Sequence, residues 1–188
     1  MDTELPIEYL WEPSEVRMEV IDGQPPAGFD CGRQAQNAFL YNRAWRDAKA
    51  AMSVTHLLFI NDVLAGFVTL LADGITLSRA ERPRGVMWRI APAMKIGQLA
   101  VDRQFAGKGL GMALIKYAIQ FSINVRSGFG CRFITLDAEP ELLAWYRKLG
   151  FVQNLEAQDY RIELARRSGR DLEALPISMR YDLREAKR

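Results

Sequence analysis

The sequence predicts an α/β protein, a mixed sheet of about six to seven strands flanked by helices, in a single domain over residues 1–188. Three observations predict it. Short apolar runs with strand patterning recur along the chain. Segments with apolar residues at three- and four-residue steps lie between them. One of these helical segments is entered from a strand through a turn holding three glycines in five residues, Gly107, Gly109 and Gly111.

Taken in order, Ile7 to Trp11 reads as a short edge strand. Residues 16–21 alternate apolar with polar and end at the Asp22-Gly23 turn. A helix is predicted from near Gln34, with Ala35, Ala38, Phe39, Asn42, Trp45, Ala48 and Met52 along one stripe. For Phe39 or Trp45 taken alone, core packing is the simpler role. Residues 56–60 and 64–71 are strands joined by an Asn61-Asp62 hairpin, their unbroken apolar character suiting coverage on both faces. His56, the one histidine, precedes an apolar strand, where a structural role is expected. Residues 73–92 show little periodicity and are predicted as a long mobile connection. Residues 94–102 form a strand ending at Asp102. Leu110, Ala113, Leu114, Tyr117, Ala118, Phe121 and Val125 then mark an amphipathic helix. Residues 131–137 are a strand. Pro140 suits the first turn of a helix and Gly150 its C-terminal cap. Residues 151–152, 160–165 and 177–183 are predicted as strands, the last two joined by a polar loop at 166–172.

Composition excludes several classes. Of 188 residues, 49% are hydrophobic and 26% charged, ordinary for a globular protein. Net charge is +2, from 25 basic and 23 acidic residues, far from the strongly basic balance of a dedicated nucleic-acid binder. The basic residues cluster, with Arg79, Arg82, Arg84, Arg89 and Lys95 before the glycine turn and Arg103 and Lys108 within it. They make either a solvated face or a rim for an anionic ligand such as RNA. No apolar run reaches membrane-spanning length, and the acidic start Met1-Asp2-Thr3-Glu4-Leu5 lacks the order of a signal peptide. A cytoplasmic protein with no membrane partner is expected. Cys31 and Cys131 lack metal-ligand spacing and are expected as small buried residues; no metal site is expected.

The strand–turn–helix at residues 94–125 carries the chemistry. A turn tightening into a helix leaves backbone N–H groups unpaired, and the helix dipole adds partial positive charge, so the turn binds a phosphate or pyrophosphate. Two loop types are excluded. A P-loop needs Gly-Lys followed by Ser or Thr, whereas Lys108 here precedes Gly109 and Leu110. A dinucleotide fingerprint spaces its glycines differently and opens a repeated βαβ unit, which is absent.

The pattern Gln104-Phe105-Ala106-Gly107-Lys108-Gly109, preceded by Leu99-Ala100-Val101-Asp102, resembles the coenzyme A pyrophosphate loop of the GNAT acetyltransferases. A second signature of that family lies at Ala144-Trp145-Tyr146-Arg147-Lys148-Leu149-Gly150-Phe151. The resemblance covers residues 94–151. It implies a GNAT-like fold, acetyl-CoA as cofactor, and transfer of an acetyl group to a primary amine on a small molecule or an aminoacyl group. The implied coenzyme-binding residues are Leu99, Ala100 and Val101 toward the pantetheine arm. Gln104, Phe105, Ala106, Gly107, Lys108, Gly109, Leu110 and Gly111 are implied for the pyrophosphate. Tyr146 is the implied general acid, since a phenol near pKa 10 stays protonated at neutral pH yet lies close to a thiol near 8.5. Read from spacing alone, Tyr146 belongs to an apolar stripe with Leu142, Trp145 and Leu149. Members often carry a glutamate base near the central strand. This chain has Gln98 beside Leu99, and an amide cannot abstract a proton. An α-amine, with a pKa near 8, arrives neutral more readily than a lysine near 10.4. The order Phe29-Asp30-Cys31-Gly32, helix, Leu99-Ala100-Val101-Asp102, Ala144-Trp145-Tyr146 also resembles the GNAT toxins of toxin–antitoxin pairs. That implies aminoacyl-tRNA as acceptor and an antitoxin protein and a second copy as partners, although Gln98 stands where those toxins often have arginine. The competing class is a catalytically idle acyl-CoA-binding domain.

Overall fold

Within the computed structural model, which describes residues 15–169, 171–172 and 175–185, the strands hydrogen-bond in the order β1-β2-β3-β4-β5-β7-β6. They are β1 Val16–Val20, β2 Val54–Ile60, β3 Val63–Thr76, β4 Ile90–Val101, β5 Phe133–Ala138, β6 Val152–Gln153 and β7 Ile177–Asp182. A seven-stranded sheet, with helices between its strands, meets the predicted class. The segment expected as an edge strand at Ile7 to Trp11 lies outside the described residues. The chain groups into two compact units. One runs to Leu71 and takes in Ile96–Asn124; the other comprises Ala72–Lys95 and the residues from Val125 onward.

In the first unit, β1 pairs antiparallel with β2, setting Met18 opposite Leu58, and β2 pairs antiparallel with β3. Asn61 and Asp62 take φ of 47° and 63°. A two-residue hairpin whose twist matches its strands needs left-handed backbone at both positions, and these residue types tolerate it. Leu57, Phe59, Leu64 and Phe67 join Phe29, Phe39, Leu40 and Ala44 in one buried cluster. The Phe67 ring meets Phe29 edge-on at 5.5 Å and stacks on Phe39 at 6.3 Å. Each fully buried side chain of this size contributes about 1.5–3 kcal/mol.

The predicted helix begins at Gln34 as expected, but it is not uniform. α1 Gln34–Phe39 passes through a π turn, Leu40–Ala44, into α2 Trp45–Lys49. Across the wider turn Leu40 and Ala44 are both fully buried. The Tyr41 hydroxyl accepts from the Phe29 N–H at 2.9 Å, tying the turn to the preceding loop. Of the predicted stripe Phe39 is buried and Trp45 and Ala48 are half-buried, whereas Ala35, Ala38 and Asn42 are exposed, as is Met52 beyond the end of α2, where Ala51 turns left-handed. α3 Leu110–Val125 buries Leu110, Ala113, Leu114, Tyr117 and Ala118, the face its spacing predicted.

In the second unit two expectations are corrected. Residues 73–92 are strand at both ends: β3 continues to Thr76, β4 starts at Ile90, and the Leu77 N–H donates to the Arg89 carbonyl at 2.8 Å. Ile75, Leu77, Ala91 and Ala93 pack with Phe133 in a small core. Gly74 reads as a breaker in sequence. Here it answers a close approach, because a Cβ would lie 2.8 Å from Ile90 Cγ2. The connection shrinks to residues 78–89. Its one acidic side chain, Glu81, is bound by Arg180 and Ser78.

The predicted strand at 160–165 is helix instead, as is the first part of the polar loop at 166–172: α5 spans Leu155–Ser168. Tyr160, Arg161, Ile162, Glu163 and Leu164 fit a two-residue alternation over a short window. A Glu163–Arg167 pair one turn apart and Gly169 as a left-handed cap, φ 67°, favour the helix. Pro140 opens a 3-10 turn, Pro140–Leu142, leading into α4 Leu143–Lys148, and Gly150 follows at φ 90°. β7 pairs antiparallel with β5 and β6. Cys31 and Cys131 are free thiols, the second buried and the first only partly so. Among the described residues no helix is long and apolar enough to cross a membrane.

Candidate active site

β4 delivers the chain to the glycine turn through Asp102, a residue the sequence marked only as a strand end. Asp102 is 3% exposed. Its Oδ1 accepts from the Gln104 N–H and its Oδ2 from the Asp30 N–H, each at 2.8 Å, while its own N–H donates to the Ala65 carbonyl at 2.9 Å. The Arg103 N–H returns to the Asp30 carbonyl at 3.0 Å. One buried carboxylate thus clamps the end of β4, the loop before α1 and the start of the turn. The signal for it was an aspartate directly after an apolar strand and before a turn, the position of a capping residue.

The turn divides its backbone donors into two sets. Arg103–Phe105 forms a 3-10 turn that engages the N–H groups of Phe105, toward Asp102, and Ala106, toward Arg103. The first ladder bond of α3 runs from the Ala113 N–H to the Gly109 carbonyl at 3.1 Å, so the N–H groups of Leu110, Gly111 and Met112 precede the ladder. Gly107 and Gly109 take φ of 74° and 81°, which only glycine adopts without strain, and a Cβ at either would meet nothing within 4 Å. No acidic side chain occupies the first turn of α3 to offset its dipole. Open space, spare donors and partial positive charge coincide at Gly107 to Gly111, a cradle that fits a pyrophosphate.

The side chains around the cradle take different roles. Leu110 is buried, so its backbone alone faces the turn, while Gln104, Ala106 and Lys108 are exposed. Lys108 Nζ sits 5.3 Å from the centroid of the Phe105 ring. On β4, Leu99 and Val101 are half-buried and Ala100 is buried; Gln98 is half-buried.

Tyr146 belongs to the second unit, on α4. It is 8% exposed, edge-on to Trp145 at 4.8 Å and to Phe151 at 5.8 Å. Its carbonyl accepts from the Leu149 and Phe151 N–H groups, each at 3.1 Å, which fixes the end of α4. Burial pushes its phenol above the ordinary value, and the charge of Glu139 pushes it further the same way. His56 is 2% exposed. Its Nδ1 bonds the Tyr117 hydroxyl at 2.8 Å, and burial lowers its pKa to about 4. It is a neutral core group, as its setting in the sequence implied.

The chain is similar to a probable glucosamine 6-phosphate N-acetyltransferase 2 of Oryza sativa subsp. japonica, 29% identical over 108 residues, 55% of this chain and 58% of the relative. It spans less than two thirds of that relative's length. Among solved structures it is similar to AtaT complexed with acetyl-methionyl-tRNAfMet, with a TM-score of 0.65 and 23% identity, over 73% of this chain and 87% of that one. It is also similar to a tyrosine-to-phenylalanine mutant of the AtaT toxin bound to acetyl-CoA and the C-terminus of the antitoxin AtaR. There the TM-score is 0.67 and the identity 18%, over 90% of this chain and 94% of that one. At these identities the structures show a shared fold. Residues 24–151 match the acetyltransferase (GNAT) family. The glycine turn between β4 and α3 and the Tyr146 segment on α4 both fall within that span, and the chain belongs to the acetyltransferase (GNAT) family.

Proposed function

We propose that the protein is an acetyl-CoA-dependent N-acetyltransferase acting on a primary amine. The observation that carries this is the cradle at Gly107 to Gly111, with N–H groups ahead of the α3 ladder and two left-handed glycines facing open space. Bound acetyl-CoA would supply an acyl group activated as a thioester. The backbone of Leu99, Ala100 and Val101 would orient the pantetheine arm. The N–H groups of Gly107, Lys108, Gly109, Leu110 and Gly111 would hold the pyrophosphate, with Gln104, Phe105 and Ala106 shaping the turn. Tyr146 would protonate the departing thiolate, and its raised pKa keeps the phenol protonated across neutral pH. Gln98 cannot serve as a base, so either water relays the proton or the amine arrives neutral, and the second route favours an α-amine.

A second reading, the α-amine of an aminoacyl-tRNA, is favoured by the 78–89 connection. It exposes Trp88 (80%) beside exposed Arg79, Arg84 and Arg89, a combination that suits base stacking and phosphate contact. The AtaT structures named above, one with an acetylated aminoacyl-tRNA and one with an antitoxin, support the same reading. Its extensions are an antitoxin partner, assembly as a homodimer and residence in the cytoplasm. The test is incubation with acetyl-CoA and two acceptor sets, small primary amines and charged tRNA, read by mass spectrometry and thiol release. Acetylated amine with stoichiometric thiol supports the reading; thiol release from neither set contradicts it.

A further inference from the structure

We infer that a cleft of about 420 Å³ in the second unit binds a cationic primary amine that carries an adjacent hydrogen-bonding group, of the α-amino amide or ester type. Its walls come from the end of β3, from β4, β5 and β7, and from the first turns of α5. Two independent observations carry the inference.

The first is the balance of charge. Asp137 holds both cations of the lining: its Oδ2 meets Lys95 Nζ at 2.8 Å and its Oδ1 meets Arg161 at 2.6 Å. That bridge ties β4, β5 and α5 together and leaves neither cation for an anionic ligand. Two further carboxylates line the cleft without a cation among the described residues. Among the described residues Asp73 accepts only from the Thr135 hydroxyl and the Gly74 N–H, and the Glu156 carboxylate has no side-chain partner. The lining therefore has one net negative charge, placed on groups that an ammonium would satisfy.

The second is Asn154. It is 3% exposed, lines the cleft, and its side-chain amide has no hydrogen-bond partner among the described residues, although it stands at the N-cap of α5. The rest of this side chain is buried, so the open contact of its amide is with the cleft, where a ligand that donates and accepts would complete it. Ile75 supplies an apolar floor and Tyr160 an exposed ring at the rim. An α-amino amide or aminoacyl ester offers each required part: an ammonium for Asp73 and Glu156, a carbonyl for Asn154, and a side chain for the apolar surfaces.

This names the amine class for the acetyl transfer proposed above and rests on that reading for its role, with the ammonium giving its proton to water before the amine attacks the thioester, whereas the binding itself is independent of it. The experiment is calorimetric titration of the full chain, without coenzyme, using methionine amide as the cationic probe and N-acetylmethionine amide as its neutral counterpart. Methionine amide binds and the neutral probe binds at least about tenfold more weakly, the scale of one lost charge-assisted contact. Asp73→Asn keeps the bonds from Thr135 and Gly74 and lowers methionine amide affinity by a similar factor. Glu156→Gln, at an exposed position, lowers it less, and added salt shrinks that effect. Equal affinity for the two probes, no binding of either, or no change on Asp73→Asn overturns the inference. Should acetyl transfer to an amine proceed with no binding here, the inference falls and the enzymatic reading stands. Binding here with no acetyl transfer to any amine supports the inference and removes the enzymatic reading.

Discussion

Burial and the charge of Glu139 act on Tyr146 in the same direction, and both keep its hydroxyl protonated. A packing role and an acid role make different demands on that hydroxyl. Tyr146→Phe keeps the ring contacts with Trp145 and Phe151. Acetyl-CoA affinity should therefore hold while turnover drops by roughly 10²–10⁴-fold, the range for a lost general acid; a folded variant with full turnover refutes the acid role. His56 gives a second prediction. Its pKa falls from 6.5 to about 4 on folding. The folded state thus binds fewer protons than the unfolded chain between those values, and stability drops as pH falls through that window, by roughly 3 kcal/mol for the full shift. The contribution is complete above pH 6.5 and gone below about 4. The carboxylates held below their usual range, Asp30 and Asp182, lose theirs only lower down. Denaturant titrations at pH 7 and pH 4.5 should differ for the native chain and differ much less for His56→Gln; an undiminished pH slope in that variant contradicts the assignment.

At the scale of elements, α5 shows where sequence patterning gives way. Its buried contribution is concentrated at Ala165, while Leu155, Tyr160 and Leu164 stay exposed. The apolar periodicity that identifies α3 is therefore missing, and a five-residue alternation misleads. The informative signals were polar and local: the Glu163–Arg167 spacing and Gly169. Gly169→Ala places a Cβ at φ 67° and should cost about 1 kcal/mol. That lowers the thermal midpoint by about 2–4 °C for a chain of this size; an unchanged midpoint excludes the cap. The 73–92 segment failed for the opposite reason. Asp73, Gly74 and Pro92 punctuate the sequence. In the fold, Gly74 admits Ile90 and the Pro92 carbonyl accepts from the Arg132 N–H at 2.9 Å, so the breakers sit inside strand pairing. By contrast α3, the Asn61-Asp62 hairpin and the Pro140-to-Gly150 helix were legible, because each combines a full apolar face or a turn with residue types that few alternatives accept. The π turn at Leu40–Ala44 leaves no such trace. The Asp102 clamp was missed because its partner, Asp30, lies 72 positions away.

For the whole molecule, sequence alone identified the glycine turn and the family, whereas the proposed acceptor surfaces needed three dimensions. The cleft under α5 draws on residues from 73 to 178, and the pairing that leaves Asp73 without a cation is invisible until Asp137 is seen holding both Lys95 and Arg161. Net charge of +2 hides a similar unevenness, with Arg79, Arg82, Arg84 and Arg89 gathered on the 78–89 connection. The central claim is that the turn before α3 holds acetyl-CoA through its backbone. Its most direct test is calorimetric titration of acetyl-CoA into the native chain, Gly109→Val and Lys108→Ala, with thermal melts in parallel. A valine at φ 81° must distort the turn and narrow the approach to its N–H groups. The account predicts tight binding to the native chain and at least about tenfold weaker binding to folded Gly109→Val. For Lys108→Ala it predicts a smaller loss that fades with added salt. Affinity for acetyl-CoA that is absent from the native chain, or unchanged in folded Gly109→Val, would contradict it.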